Sequence, residues 1–170
     1  MFAAGDLVIY GGEGVCRVES VGMPETEGID KTKAYYTLSP LYRTGQVMTP
    51  VDTGVLMRPV MTPAEADAFL TALPELPAEE PAGASQRAIK DHYHAVVTSY
   101  DCRRMAAMIK YTCRRRRDAL RRGRKVSQLD ERYLRRAEEQ LYGELAAVLG
   151  IDRQEVCAYI QRDYPNWPEE

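Results

Sequence analysis

The pattern of apolar and polar positions changes character near residue 60. Before it, apolar residues fall in short runs or alternate with polar ones. Residues 7–10 form a continuous strand-prone run, and residues 15–21 alternate, with Val15, Arg17, Glu19 and Val21 on one side and Cys16, Val18 and Ser20 on the other. Gly11-Gly12-Glu13-Gly14 between them supplies the backbone freedom of a tight turn, so the two runs predict a hairpin. Residues 23–33 are polar, include Pro24 and Gly28, and read as a loop. A third strand is expected over 34–38, with shorter ones at 47–49 and 55–57 set off by Thr44-Gly45 and Asp52-Thr53-Gly54. Such closely spaced short strands predict a small, strongly bent SH3-like or Tudor-like β-barrel.

Beyond residue 60 the signals are helical. Thr62-Pro63-Ala64-Glu65 combines an N-cap, a proline in the first turn and a capping-box Glu, opening a short helix to residue 72. Pro74, Pro77, Pro81 and Gly83 then forbid a helix, and residues 74–84 read as a semi-rigid linker at a domain boundary. From Ser85 to Tyr164 proline is absent, which leaves room for a helical bundle. The first helix spans 87–97. Asp101 caps a second that runs to residue 122, with Met105, Ile109, Thr112, Cys113 and Leu120 on its core stripe and Gly123 as its stop. Ser127 with Asp130 opens a third, whose apolar face carries Leu129, Tyr133, Ala137, Leu141, Leu145 and Val148 and which Gly150 ends. Asp152 with Glu155 starts a last helix. The expected architecture is α+β in two domains: the barrel with its trailing helix over 1–73, the linker, an all-α bundle over 85–163, and a tail at 164–170 in which Pro165 and Pro168 flank Trp167.

Charge sharpens this division. The formal net charge is −2, yet residues 1–75 hold five basic side chains against ten acidic ones, whereas residues 103–125 hold eleven basic ones and the single acid Asp118. Two units with different partners are implied, the basic one suited to a polyanion. Arg114-Arg115-Arg116-Arg117 advance by about 100° per residue and sweep most of a helix circumference, so some guanidiniums must face outward. Arg114, Arg115 and Arg117, with Arg121, Arg122, Arg124 and Lys125, form a basic helix end and loop fit to contact phosphates without reading bases. Arg87, Lys90 and Arg132 join that set. A solvated face, with Arg stems covering core edges, accounts for the run equally well. Tyr111 and Tyr133 suit a helical core better than base stacking.

Catalysis finds no footing. The glycine cluster is followed by neither a helix start nor the Lys-Ser/Thr pair of a phosphate-binding loop. Glu138 and Glu139 diverge around a helix, and so do His92 and His94. Cys16, Cys102, Cys113 and Cys157 contain no C-x-x-C pair and read as free thiols; no metal or cofactor is expected. No apolar stretch approaches the roughly 20 residues of a membrane span, and residues 1–6 lack a basic, then apolar leader, so a cytoplasmic non-enzyme is expected.

Specific residues add a family resemblance. Phe2-Ala3-Ala4-Gly5-Asp6-Leu7-Val8-Ile9-Tyr10, followed by Gly11-Gly12-Glu13-Gly14-Val15-Cys16-Arg17-Val18, resembles the opening of CarD-like proteins and of the polymerase-binding module of transcription-repair coupling factors. Tyr35-Tyr36-Thr37-Leu38 and Val47-Met48-Thr49-Pro50-Val51-Asp52 look like its later strands. Ser99-Tyr100-Asp101, Gly123-Arg124-Lys125-Val126-Ser127, Asp130-Glu131-Arg132-Tyr133 and residues 138–149 are similar to the C-terminal domain of the family's Gram-positive branch. The resemblance implies a barrel that binds the RNA polymerase β subunit, through Tyr36, Val47, Met48, Thr49 and Pro50. It further implies a helical domain that touches promoter DNA and stabilises the open complex. Two departures stand out: residues 82–87 lack the Trp with which family members wedge the minor groove, and Met48 replaces a basic residue. The competing reading is a protein-interaction adaptor that uses the same barrel without binding DNA.

Overall fold

The computed structural model describes residues 1–25 and 27–168 and divides the chain into two compact units, Met1–Val60 and Met61–Glu170. Thr26, in the expected loop, and Glu169 and Glu170, in the expected tail, lie outside the described residues.

The first unit is one antiparallel sheet of β1 (Leu7–Tyr10), β2 (Gly14–Gly22), β3 (Tyr35–Pro40), β4 (Val47–Pro50) and β5 (Met57–Pro59), in the order β4-β3-β2-β1-β5. The glycine cluster is the β1–β2 turn: Tyr10 pairs with Gly14, and Gly12 and Gly14 take φ of 92° and 79°, values that strain any side chain. Alternation sorts the two faces, although Ile9 and Val15, a cross-strand pair on the face opposite the core, are buried as well. Val8, Tyr10, Cys16, Val18, Tyr36 and Leu38 meet in one core, with Phe2, Val21, Val47, Val51 and Met57 against it. β2 shifts register between Val18 and Ser20, an irregularity that bends a strand shared by two neighbours.

The expected small barrel is not closed among the described residues. β4 and β5 are opposite edges of the sheet; they are four and three residues long, and no ladder joins them among the described residues. The last strand also begins later than its apolar run predicts. Thr53 N–H donates to the Pro50 carbonyl (3.0 Å) and Thr53 Oγ1 accepts from Val55 N–H (3.1 Å), so the turn consumes Val55 and pairing starts at Met57.

The second unit holds α1 (Pro63–Ala72), α2 (Gln86–Ser99), α3 (Cys102–Arg121), α4 (Gln128–Leu149) and α5 (Val156–Asp163), with 3-10 turns at Leu73–Glu75 and Arg153–Glu155. Among the described residues no helix is long and apolar enough to cross a membrane. The caps read from sequence are in place: Thr62 and Glu65 form a capping box, and Asp101 and Ser127 accept from the first-turn amides of α3 and α4; Ser85, not singled out as a cap in the sequence, does the same for α2. The core joins all five helices, through Phe69, Val96, Met108, Leu141 and Val156 among others.

Three expectations shift. The division falls at Val60/Met61, ahead of the prolines, because Ala66, Phe69 and Leu73 bury themselves with the helices and bring α1 into their unit. Leu120, expected on the core stripe of α3, is 61 % exposed, since the last turn of that helix runs past the core. Trp167 is 1 % exposed and its indole N–H donates to the Tyr142 hydroxyl (2.9 Å), so the tail is anchored on α4 despite its prolines.

Candidate functional site

In the sheet unit, β4 pairs only with β3 among the described strands, leaving its outer edge open. Period-two alternation sorts the residues expected to meet the polymerase. Tyr36 is buried, its hydroxyl accepts from Phe2 N–H (3.1 Å), and its ring lies 6.1 Å from that of Phe2. Thr49 is buried too and accepts from the Tyr10 hydroxyl (3.1 Å). Both hold the sheet from within. Val47 is half-buried against the core. Met48 is exposed and, through its pairing with Thr37, shares a sheet face with Thr37, Tyr35 and Pro50. A strand edge carrying an unscreened thioether is a surface on which another protein can extend the sheet and pack a side chain.

In the helical unit, the arginine run splits by function. Arg115 Nε donates to buried Asp130 (2.8 Å), and its guanidinium is within 3.4 Å of the Tyr111 hydroxyl. That bond to Asp130 raises an already high guanidinium pKa further. Asp130 also accepts from the Tyr93 hydroxyl (3.0 Å), whose pKa burial pushes well above the ordinary phenol range. Arg115 is therefore a brace between α3 and α4 with Tyr93 of α2 completing it. Arg116 lies 3.5 Å from Glu131, and Arg114 pairs with Glu80. Among the described residues no carboxylate pairs with Arg117, Arg121, Arg122, Arg124 or Lys125, and all five are exposed.

The α3–α4 connection gathers three of these cations, Arg122, Arg124 and Lys125. Gly123 (φ 63°) closes α3, with its N–H on the Leu120 carbonyl (3.1 Å) and Arg124 N–H on the Ala119 carbonyl (2.8 Å). A recess of about 260 Å³ between the helices is lined by Arg115, Arg116, Arg122, Arg124 and Lys125 around Ser127 and the acids Asp118 and Asp130. The amino end of α4 opens at Ser127, adding the positive pole of a 22-residue helix. Arg87 and Lys90 stand elsewhere, exposed on the first turns of α2 and outside that lining, with Arg87 3.9 Å from Asp91. Arg132 lies 5.3 Å over the Tyr133 ring on α4. Tyr133 is core, as expected, and Tyr111 is partly buried beneath Arg114 and Arg115.

Compared with known families, residues 2–61 match the CarD-like/TRCF RID domain. The chain carries a CarD-like domain. Domains of this kind are RNA polymerase-interacting, which supports a transcription-related, polymerase-binding role for the sheet unit. The match ends one residue past the contact boundary at Val60, which makes the CarD-like domain and the sheet unit the same object. No curated protein matches the chain.

Sequence reasoning placed the CarD-like strands and the basic loop but missed two partners of the site. Arg116 lines the recess although it stood outside the expected contact set, and Asp130, read only as a cap, is the buried anchor of Arg115. Helical spacing brings Asp130 near Ser127; nothing in a linear reading brings it to Arg115 or Tyr93.

Proposed function

We propose that this chain is a non-catalytic transcription regulator that docks its CarD-like domain on the β subunit of RNA polymerase and lays the α3–α4 basic end on promoter DNA, changing open-complex stability. The sheet, bent at β2, acts as the SH3- or Tudor-like module of the resemblance, open along β4. The observation that carries the DNA contact is the set of exposed cations without a carboxylate partner among the described residues, of which Arg122, Arg124 and Lys125 line the recess beside the amino end of α4 while Arg117 and Arg121 extend the basic surface along α3. Phosphates are their natural ligand, since guanidinium forks and helix amides bind phosphate oxygens without regard to sequence. Such binding is weak alone and steeply salt-dependent, with a slope near −0.9 per phosphate neutralised.

The test uses the full-length chain from cytoplasmic extract conditions. Met48→Glu should abolish co-purification with host RNA polymerase while leaving promoter-DNA binding intact. Arg117→Ala with Arg121→Ala and Arg124→Ala should do the reverse, weakening DNA binding at low salt roughly tenfold or more. The neutralisation of Arg114, Arg115 and Arg116 by carboxylates favours one alternative, an adaptor that holds polymerase without DNA. Retained polymerase with no DNA shift at 50 mM salt would select that adaptor.

A further inference from the structure

The proline-rich stretch that follows α1 does not hang free. It lies along α3 as a strap. Lys110 Nζ donates to the carbonyls of Leu73 (2.6 Å) and Leu76 (2.7 Å), and Glu79 N–H donates to the Ala107 carbonyl (3.1 Å). Arg104 grips the Glu79 carboxylate through Nη2 (2.7 Å) and Nε (3.3 Å), and Arg114 pairs with Glu80. His92 Nε2 of α2 stands 3.5 Å from Glu79. Arg104, Ala107, Lys110 and Arg114 succeed one another at three- or four-residue steps, so they form one stripe along the helix. The strap covers that stripe, and its acids sit where the stripe is most cationic.

A carboxylate held by a guanidinium fork presents the same planar oxygen pair as a phosphate. The same helix carries, past Arg114, the free cations assigned above to DNA. We propose that the strap is an internal competitor for polyanions: Glu79 and Glu80 occupy Arg104 and Arg114, and displacing them extends the phosphate-binding surface along α3. The inference rests on the DNA reading of the α3–α4 end. The Glu80 end opens first. Glu80 and Arg114 keep 63 % and 52 % of their side-chain surface in solvent, against 28 % and 38 % for Glu79 and Arg104, and exposed pairs are weakly held. Prolines 77 and 81 bracket Glu79 and Glu80 and stiffen that stretch.

The experiment measures binding of the full-length chain to a promoter duplex against salt concentration. The variants are Glu80→Gln, Glu79→Gln with Glu80→Gln, and Glu75→Gln. The last removes the same charge from the start of the strap at an exposed residue without an arginine partner among the described residues. Trp167 fluorescence verifies that each variant folds. Glu80→Gln should steepen the salt slope by about 1 and the double variant by about 2, with tighter binding at low salt, while Glu75→Gln leaves the slope unchanged. A wild-type slope matched by all variants overturns the strap and leaves the DNA reading standing. Equal steepening by Glu75→Gln also overturns it, because the effect is then bulk charge. No duplex binding by any form overturns both, and binding by the double variant alone supports a strap that fully closes the face.

Discussion

Glu144 is 1 % exposed in the middle of α4, yet it carries two visible obligations: it accepts from Met61 N–H (2.9 Å) and from the Cys102 thiol (3.1 Å). The first ties the chain leading into α1 to the bundle. The second fixes the first residue of α3. Glu144→Ala should therefore lower unfolding free energy by about 3 kcal/mol, because a buried donor loses its partner and a cavity opens, whereas Glu144→Gln keeps an acceptor and should cost less. Chemical denaturation of the two variants measures the difference; equal losses would mean that the carboxylate charge, removed in both variants, holds the site rather than packing or a neutral acceptor. The thiols allow a second check. Burial pushes Cys16 up to about 11 and Cys113 up to about 12, and Cys102 is buried as well. All three should resist a thiol reagent at pH 8, Cys16 and Cys113 because they offer neither thiolate nor access and Cys102 because it is buried. Cys157, partly exposed, should react first in the native protein, and unfolding should release the remainder; fast labelling at Cys16 or Cys113 would contradict this burial.

At the scale of elements, α4 organises the helical unit. It receives Arg115 and Tyr93 on Asp130, Met61 on Glu144 and Trp167 on Tyr142. Its caps and apolar stripe were legible because capping and 3.6-residue periodicity are local properties. Its partners were not, since Asp130 meets Tyr93 across a separation of 37 residues and Glu144 meets Met61 across 83. Trp167 shows the same limit: neighbouring prolines argue locally for an irregular tail, and the segment is irregular, but an indole that finds both an apolar pocket and a hydroxyl is buried regardless of backbone regularity. Trp167→Ala should destabilise the unit by about 3–5 kcal/mol. Trp167→Phe keeps most of the packing and should lose about 1 kcal/mol with the hydrogen bond. If thermal melts show Trp167→Ala to be neutral, the tail is an ornament to α4.

For the whole molecule, the sheet and the bundle keep separate apolar cores: Val8, Val18 and Leu38 belong to one, Tyr93, Leu141 and Trp167 to the other. Charge asymmetry suggested two units with a boundary at the proline-rich stretch; the contact boundary at Val60/Met61 lies ahead of that stretch. Prolines forbid helix without saying whether a segment is solvated or strapped, and only Lys110, Arg104 and Arg114 decide that here. Separate cores imply separate melting. The sheet unit, with about 60 residues, is marginal by size and should yield first to a core truncation. Leu38 is fully buried, so Leu38→Ala should cost its unit about 3 kcal/mol, lost from transfer and cavity together. The lone Trp167 reports only on the bundle. Fluorescence unfolding of Leu38→Ala should therefore overlay the wild type, while sheet amides exchange faster and polymerase capture declines. A parallel shift of the fluorescence transition would show the two cores to be energetically one, and the polymerase-binding and helical roles could then not be separated by mutation.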